Sequence, residues 1–379
     1  MSSVQYSLTK EEALREVVRA QEEERVPALS SADMRRADLR NTDLSGGDIR
    51  EADLSDADLS GTYACGAYLL KANLSGANLS GVNLSKAVMI GVNLIGANLR
   101  GANMRRTDLR ETDLCGVNLS GSDMKEAYLI GANLIGVDLS RADLSGANLS
   151  GANLSGANLS GADLSHANLN KAILSGADLN KANLSDATLT SANISKANLN
   201  KANLMRTNLS IANLSGTDLS GAYVCEANLV GTNMVEANLS LANFSGSILN
   251  RAYLFRAYLN KTDMIKASLQ KANLIGADLS GADLSRADLS EANLSGANLS
   301  GTYLRSAKCV KTTFRGAQML GAILTNVTLT GADLQGIQAT PAEIADVDLG
   351  SLATVIIDKL TAQRLGLGIS FQSGRGSFG

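Results

Sequence analysis

A five-residue beat runs from Pro27 to Gly336 without insertion or deletion, 310 residues in 62 pentads. Leu or another apolar residue stands at the positions ending in 4 or 9, and Ala or another small residue two places earlier. Ala32-Asp33-Met34-Arg35-Arg36 opens a register that Ala332-Asp333-Leu334-Gln335-Gly336 still keeps. A period of five matches neither the helix period of 3.6 nor the strand period of 2. The chain must therefore coil, turning a corner every five residues. An unbroken periodic array is one quasi-one-dimensional solenoid. That overrides the two or three globular domains that 379 residues would otherwise suggest.

A typical pentad is Ala147-Asn148-Leu149-Ser150-Gly151. Its five places are the small, polar, centre, outer and corner positions. Only the small and centre positions are consistently apolar, so both face inward. Burying one Leu contributes roughly 1.5–3 kcal/mol. A second large inward residue would not fit beside it, hence Ala. Gly suits a corner that needs positive φ, and Asn or Asp can bond nearby backbone groups. Trp is absent, with 5 Phe and 8 Tyr, so the interior is narrow and of constant width.

These pentads resemble the pentapeptide repeat family, whose motif is A-(D/N)-L-x-x. The resemblance covers Pro27 to Gly336 and is highly specific, because a chance A-D-L is trivial but an in-phase array of them is not. It implies an all-β solenoid, a right-handed quadrilateral β-helix with four pentads and twenty residues per coil, about 15 coils in all. It also implies short α-helical caps at the ends. Residues 1–26 fit an N-terminal cap: Thr9 and Glu12 form a capping box, and Leu14, Val17, Val18 and Gln21 make the inward stripe of a helix over about 9–24. Residues 337–379 fit a C-terminal helical cap and a flexible Gly/Ser-rich tail. There Thr340-Pro341 opens a helix, and a second amphipathic segment from Ser351 carries Leu352, Val355, Ile356 and Leu360 as far as Gly366. Val355, Ile356 and Leu360 are candidates for an end cap or for contact with a second copy in a homodimer.

Charge and composition exclude several functions. The chain has 34 basic and 37 acidic residues, and the array itself is neutral. A nucleic-acid binder needs a strong basic excess, so no nucleic-acid partner is expected. The first turns alone lean acidic. Cys65, Cys115, Cys225 and Cys309 have no partner in repeat register, which speaks against disulfides and for a reducing compartment. The N-terminus lacks an apolar signal region, and no apolar run reaches membrane-spanning length. A cytoplasmic location without membrane insertion is expected. His166 is the single histidine, so no metal constellation forms. No cofactor motif is present, and convex faces offer no pocket.

Candidate functional residues are the lapses in the outward positions. Four faces are headed by the centres Met34, Leu39, Leu44 and Ile49. Seven Tyr occupy polar positions, with Tyr63 beside Tyr68 and Tyr253 beside Tyr258 on single coils. Large apolar residues at outer positions concentrate on two adjoining faces. Leu70, Ile90, Ile130, Val230 and Val310 lie on the fourth, and Ile95, Ile135, Val235, Phe255 and Ile275 on the first. Such a ridge marks a partner surface, although single exposed apolar residues are ordinary. The leading reading is a non-enzymatic, rigid scaffold or adaptor with an unidentified protein partner in a bacterial-type cytoplasm. The alternative follows from the resemblance: some relatives mimic DNA, bind a type II topoisomerase (gyrase) and give quinolone tolerance. Neutral charge and the lack of a projecting loop depart from that role. The terminal segments are too short to hold a catalytic domain.

Overall fold

The computed structural model describes residues 8–344, 347, 354–367, 369–372 and 375–378. The chain divides into two compact units, Met1–Thr188 and Leu189–Gly379. Each is a right-handed quadrilateral β-helix with four pentads per coil. Polar positions twenty residues apart pair in parallel, as in Asp33↔Asp53 and Asp53↔Asn73 of the first unit and Asn233↔Tyr253 and Tyr253↔Asn273 of the second.

The pentad works because all of its N–H groups find acceptors. Ala147 donates across the corner to Leu144 O (3.0 Å). Asn148 donates to Ala127 O in one neighbouring coil (2.9 Å). Leu149 and Gly151 donate to Asn168 O (2.7 Å) and Asn170 O (3.0 Å) in the other. Only the outer N–H is left over, and Asn148 Oδ1 accepts it from Ser150 at 3.2 Å. The polar position is Asn or Asp because it must supply that acceptor. The amide side chains also form ladders, such as Asn93 to Asn73 (3.0 Å) and Asn73 to Asp53 (3.0 Å).

The corner has positive φ in every pentad, 29 times in glycine and 33 times in another residue. With the bond across the corner this matches a type II turn, whose third residue requires φ above zero. Small and centre side chains are buried almost without exception, the largest being Phe244 and Phe314. Where Thr replaces Ala inside, its hydroxyl is satisfied: Thr62 Oγ1 donates to Leu39 O (2.6 Å) and Thr107 Oγ1 to Leu84 O (2.8 Å).

The ends partly depart from expectation. Helix α1 (Lys10–Glu22) has the capping box of Thr9 and Glu12. Its buried stripe, however, is Ala13, Val17 and Ala20, while Val18 and Gln21 face solvent and Leu14 is half-buried. Small residues win because α1 lies close against the first coil, with Leu8 O accepting from Asp33 N–H (2.9 Å) and Lys10 Nζ donating to Arg36 O (2.9 Å). Glu16 then ties Arg25 (2.5 and 2.9 Å) and Ala28 N–H (3.2 Å). The Arg25 guanidinium holds the Glu16 carboxyl down at about 2.

At the other end α2 (Pro341–Ile344) begins at Thr340, which donates to Glu343. The amphipathic helix expected from Ser351 is a correction; Ser351 and Leu352 themselves lie outside the described residues. Val355-Ile356-Ile357 is extended, and Ile356 pairs in parallel with Asp333. Val355 and Ile357 are buried and Ile356 is exposed, the alternation of a strand. Three consecutive β-branched residues favour that form over a helix. Helix α3 (Lys359–Arg364) starts only after the N-cap Asp358 and leaves Leu360 exposed. The coil pattern thus extends past Gly336, through Gln338 beside Gln318 and then Ile356. Three side chains replace a following coil: Glu343, Thr354 and Asp358 accept from Gly321 (3.0 Å), Gly331 (2.9 Å) and Gly336 (2.8 Å). The tail, expected to be flexible, forms an antiparallel ribbon of β1 (Ile369–Gln372) and β2 (Arg375–Phe378).

Candidate interaction surface

In the first unit the outward lapses gather on the fourth face. Tyr68 pairs with Val88, which sets Leu70 beside Ile90 on successive coils. Tyr63 and Tyr68 are both more than half exposed, and Leu70 and Ile90 are half-buried. Tyr128 and Ile130 lie two coils further on, beyond Asp108 and Arg110. Arg110 folds onto Asp108, donating from Nε and Nη2 to its two oxygens (2.8 and 2.7 Å), and so breaks the apolar column. Its guanidinium holds the Asp108 carboxyl below the usual range. On the first face Ile95 is 67% exposed, but Cys115 occupies the coil between it and Ile135. The first-unit ridge is therefore a string of small patches.

In the second unit the first face carries a continuous column. Val235, Phe255 and Ile275 follow the paired residues Asn233, Tyr253 and Asn273 on three successive coils, and each is half-buried. Tyr253 and Tyr258 stand beside them, 54% and 55% exposed. Val230 lies apart, on the fourth face, one coil from the exposed Ile248.

Each Tyr in a polar position removes an acceptor. Tyr has no oxygen within reach of the following outer N–H, as Asn and Asp have. Among the described residues, the N–H groups of Leu70, Ile130, Phe255 and Asn260, which follow Tyr68, Tyr128, Tyr253 and Tyr258, have no protein acceptor.

Reading down the columns misses a second feature. The corners Arg251, Arg256, Lys261 and Lys266 follow one another around a single coil, all exposed and all at positive φ. Among the described residues none of the four forms an ion pair, and Arg256 lies over the Phe255 ring at 5.0 Å. Arginines near the start of the array behave differently. Arg35, Arg40 and Arg50 each fork onto the Asp two residues before, at 2.6–2.9 Å. These contacts hold the Asp33 and Asp38 carboxyls at about 2. The signal available in the sequence was four consecutive basic corners, visible only when the chain is read around the coil.

Depressions on the units are open; one of about 280 Å³ is lined by Val230, Asn250, Arg251, Gln270 and Lys271. Among the described residues no group of His, Cys, Asp and Glu is arranged to hold a metal ion, and His166 is an exposed corner. No helix among them is long and apolar enough to cross a membrane.

Comparison with curated proteins finds no match. Among solved structures the chain is similar to HetL, a pentapeptide repeat protein involved in heterocyst differentiation regulation from the cyanobacterium Nostoc sp. Strain PCC 7120. The two are 27% identical over 84% of this chain and 95% of HetL, with a TM-score of 0.19. A pentapeptide repeat protein of the Arabidopsis thaliana thylakoid lumen is 26% identical over 43% of this chain and 85% of its own, with a TM-score of 0.19. QnrB1, a plasmid-mediated fluoroquinolone resistance protein, is 19% identical over 63% of this chain and 97% of its own, with a TM-score of 0.24. The sequence model of pentapeptide repeats matches in overlapping or adjoining stretches that together run from residue 28 to residue 337. The chain belongs to the pentapeptide repeat family.

Proposed function

We propose that this protein is a non-enzymatic scaffold whose stacked coils present outward side chains to protein partners. One observation carries the reading. Tyr68, Tyr128, Tyr253 and Tyr258 each give up the acceptor that completes the pentad's hydrogen bonding. An unmet backbone donor costs stability unless water or a ligand takes it. The exposed ring returns little to the fold, so its use lies outside the chain. Tyr is also among the residues that contribute most at protein interfaces. The apolar residues Leu70, Ile90, Ile130, Val235, Phe255 and Ile275 sit beside these rings and extend the same surfaces. Four unpaired cysteines favour a reducing, cytoplasm-type compartment.

DNA mimicry toward a topoisomerase would call for displayed negative charge. The carboxylates of Asp33, Asp38 and Asp48 are instead each covered by an arginine of the same pentad. The test of the scaffold reading is affinity capture from lysate with the wild-type chain and an Ile90→Ser, Ile130→Ser, Val230→Ser variant. Loss of captured protein from a folded variant is expected. Undiminished capture by a variant with unchanged circular dichroism sinks these outward apolar residues as partner contacts.

A further inference from the structure

We propose that the coil from Arg251 to Gln270 is a docking site for an acidic peptide segment of a partner protein, one that carries apolar residues among its carboxylates. The inference rests on the scaffold reading and names the partner chemistry for one of its surfaces.

Two independent observations converge on this coil, and the backbone geometry sharpens the first. The corners Arg251, Arg256, Lys261 and Lys266 are cationic and exposed, and the coil holds one acid, Asp263. Among the described residues none of the four cations has an intramolecular counterion, whereas Arg35, Arg40, Arg50 and Arg110 all do. Next, the Phe255 and Asn260 N–H groups lack acceptors, because Tyr253 and Tyr258 replaced the usual Asn or Asp. Arg251, Arg256 and Lys261 border the adjoining first and second faces, which carry the Phe255 and Asn260 N–H groups, while Lys266 stands at the far corner of the quadrilateral; these two faces are rich in donors and poor in acceptors. A carboxylate is acceptor-only and answers both. Finally, the coil keeps non-glycine residues at all four left-handed corners, where glycine carries no steric penalty. Retaining four long cations there has no benefit for the backbone.

The neighbouring coils decide between a peptide and a nucleic acid. Val235 and Ile275 flank Phe255 with aliphatic surface, and Glu236 occupies the corner one coil before Arg256. The Glu236 carboxylate disfavours either anion at that one corner, but a phosphate track gains nothing from the aliphatic residues. A peptide gains from both the cations and the apolar column. Arg256, held over Phe255 at 5.0 Å, leaves the edge of its guanidinium open for a bidentate carboxylate. The depression of about 280 Å³ between Val230, Arg251 and Lys271 has room for one side chain beside a charge.

The test uses the full chain and an Arg251→Gly, Arg256→Gly, Lys261→Gly variant. Glycine suits each of these corners, so the variant removes charge without disturbing the fold, which circular dichroism checks. The probe is a fluorescein-labelled twelve-residue peptide of Glu, Asp, Leu and Phe, followed by anisotropy. Saturable binding is expected for the wild type, at least tenfold weaker in the variant and weaker again in high salt. A second variant, Tyr253→Ala with Tyr258→Ala, is expected to weaken binding while leaving its salt dependence in place. No saturable binding, or equal binding by the glycine variant, overturns the proposal. Tighter binding of a twelve-nucleotide oligo-dT than of the peptide also overturns it, in favour of nucleic acid. If the peptide fails while lysate capture still depends on Ile90, Ile130 and Val230, the acidic-segment inference falls and the scaffold reading stands.

Discussion

Gly151 isolates the conformational demand of the corner from every other effect. Its φ is +67°, and a Cβ built there meets nothing within 4 Å. Its N–H bond to Asn170 O survives any substitution except proline. Gly151→Ala therefore adds no clash and removes no contact. An L-residue in the left-handed region costs about 1–2 kcal/mol. Losing glycine's unfolded-state freedom returns roughly 0.5–1 kcal/mol. The net expectation is destabilisation by about 0.5–1 kcal/mol, more for Gly151→Val and close to zero for Gly151→Asn, since Asn tolerates the left-handed region. Stacked repeats do not unfold in one cooperative step, so a global urea midpoint dilutes a local change. Hydrogen exchange of the Leu149, Gly151 and Ala152 amides reads it directly. The predicted loss corresponds to about two- to fivefold faster exchange for Ala. Equal exchange rates for Gly, Asn, Ala and Val would refute the argument that positive φ governs what a corner accepts.

Three further outcomes follow from the same structure. Leu149→Ala removes a fully buried centre side chain from a narrow core, and a local loss of about 2–5 kcal/mol, read from hydrogen exchange of the Leu149 and Gly151 amides, is expected; a loss below about 1 kcal/mol contradicts the packing described. The Asp33 carboxyl is held at about 2, chiefly by its hydrogen bonds with Arg35. A depressed carboxyl contributes stability above its unfolded pKa and loses it as pH falls through the folded value, so the first coil should loosen between about pH 4 and 2. Carbon-detected titration of Asp33 should move back toward the ordinary Asp range in Arg35→Met, and an unchanged midpoint discards the pairing. Burial pushes the Cys309 thiol far up, whereas Cys115 is exposed. Iodoacetamide should label Cys115 in the folded chain and Cys309 only in denaturant; mass spectrometry showing early Cys309 labelling would contradict its burial.

The array was legible because one rule repeats. Leu149 and Ala147 had to face inward by composition alone, and the structure buries both. The polar Asn148 was read as a general backbone partner; only the coordinates identify its specific duty toward the Ser150 N–H. That duty turns the Tyr substitutions from a tolerated choice into a cost. Terminal segments were less legible, since they lack the repeat and single-sequence periodicity is ambiguous for short apolar runs. Val355-Ile356-Ile357 fits a helical stripe and a strand equally well, and pairing beside Asp333 chose the strand. Val18 was assigned inward on hydrophobicity, but the close approach of α1 favoured Ala13 and Ala20. At the candidate surface the Tyr and Ile/Val lapses stood out against a monotonous background. The basic corners did not, because charge at a corner is common and its meaning depends on whether a counterion lies within reach.

A hydrogen-bonding pattern that each coil passes unchanged to the next has no intrinsic length. It resembles a one-dimensional crystal, whose last layer looks like every other layer and invites another. Length must then be written by a terminator. Glu343, Thr354 and Asp358 fill that role where the repeat stops, since their oxygens take the N–H groups of Gly321, Gly331 and Gly336 that a further coil would have taken. Side-chain oxygens from outside the repeat thus satisfy donors that would otherwise template one more coil.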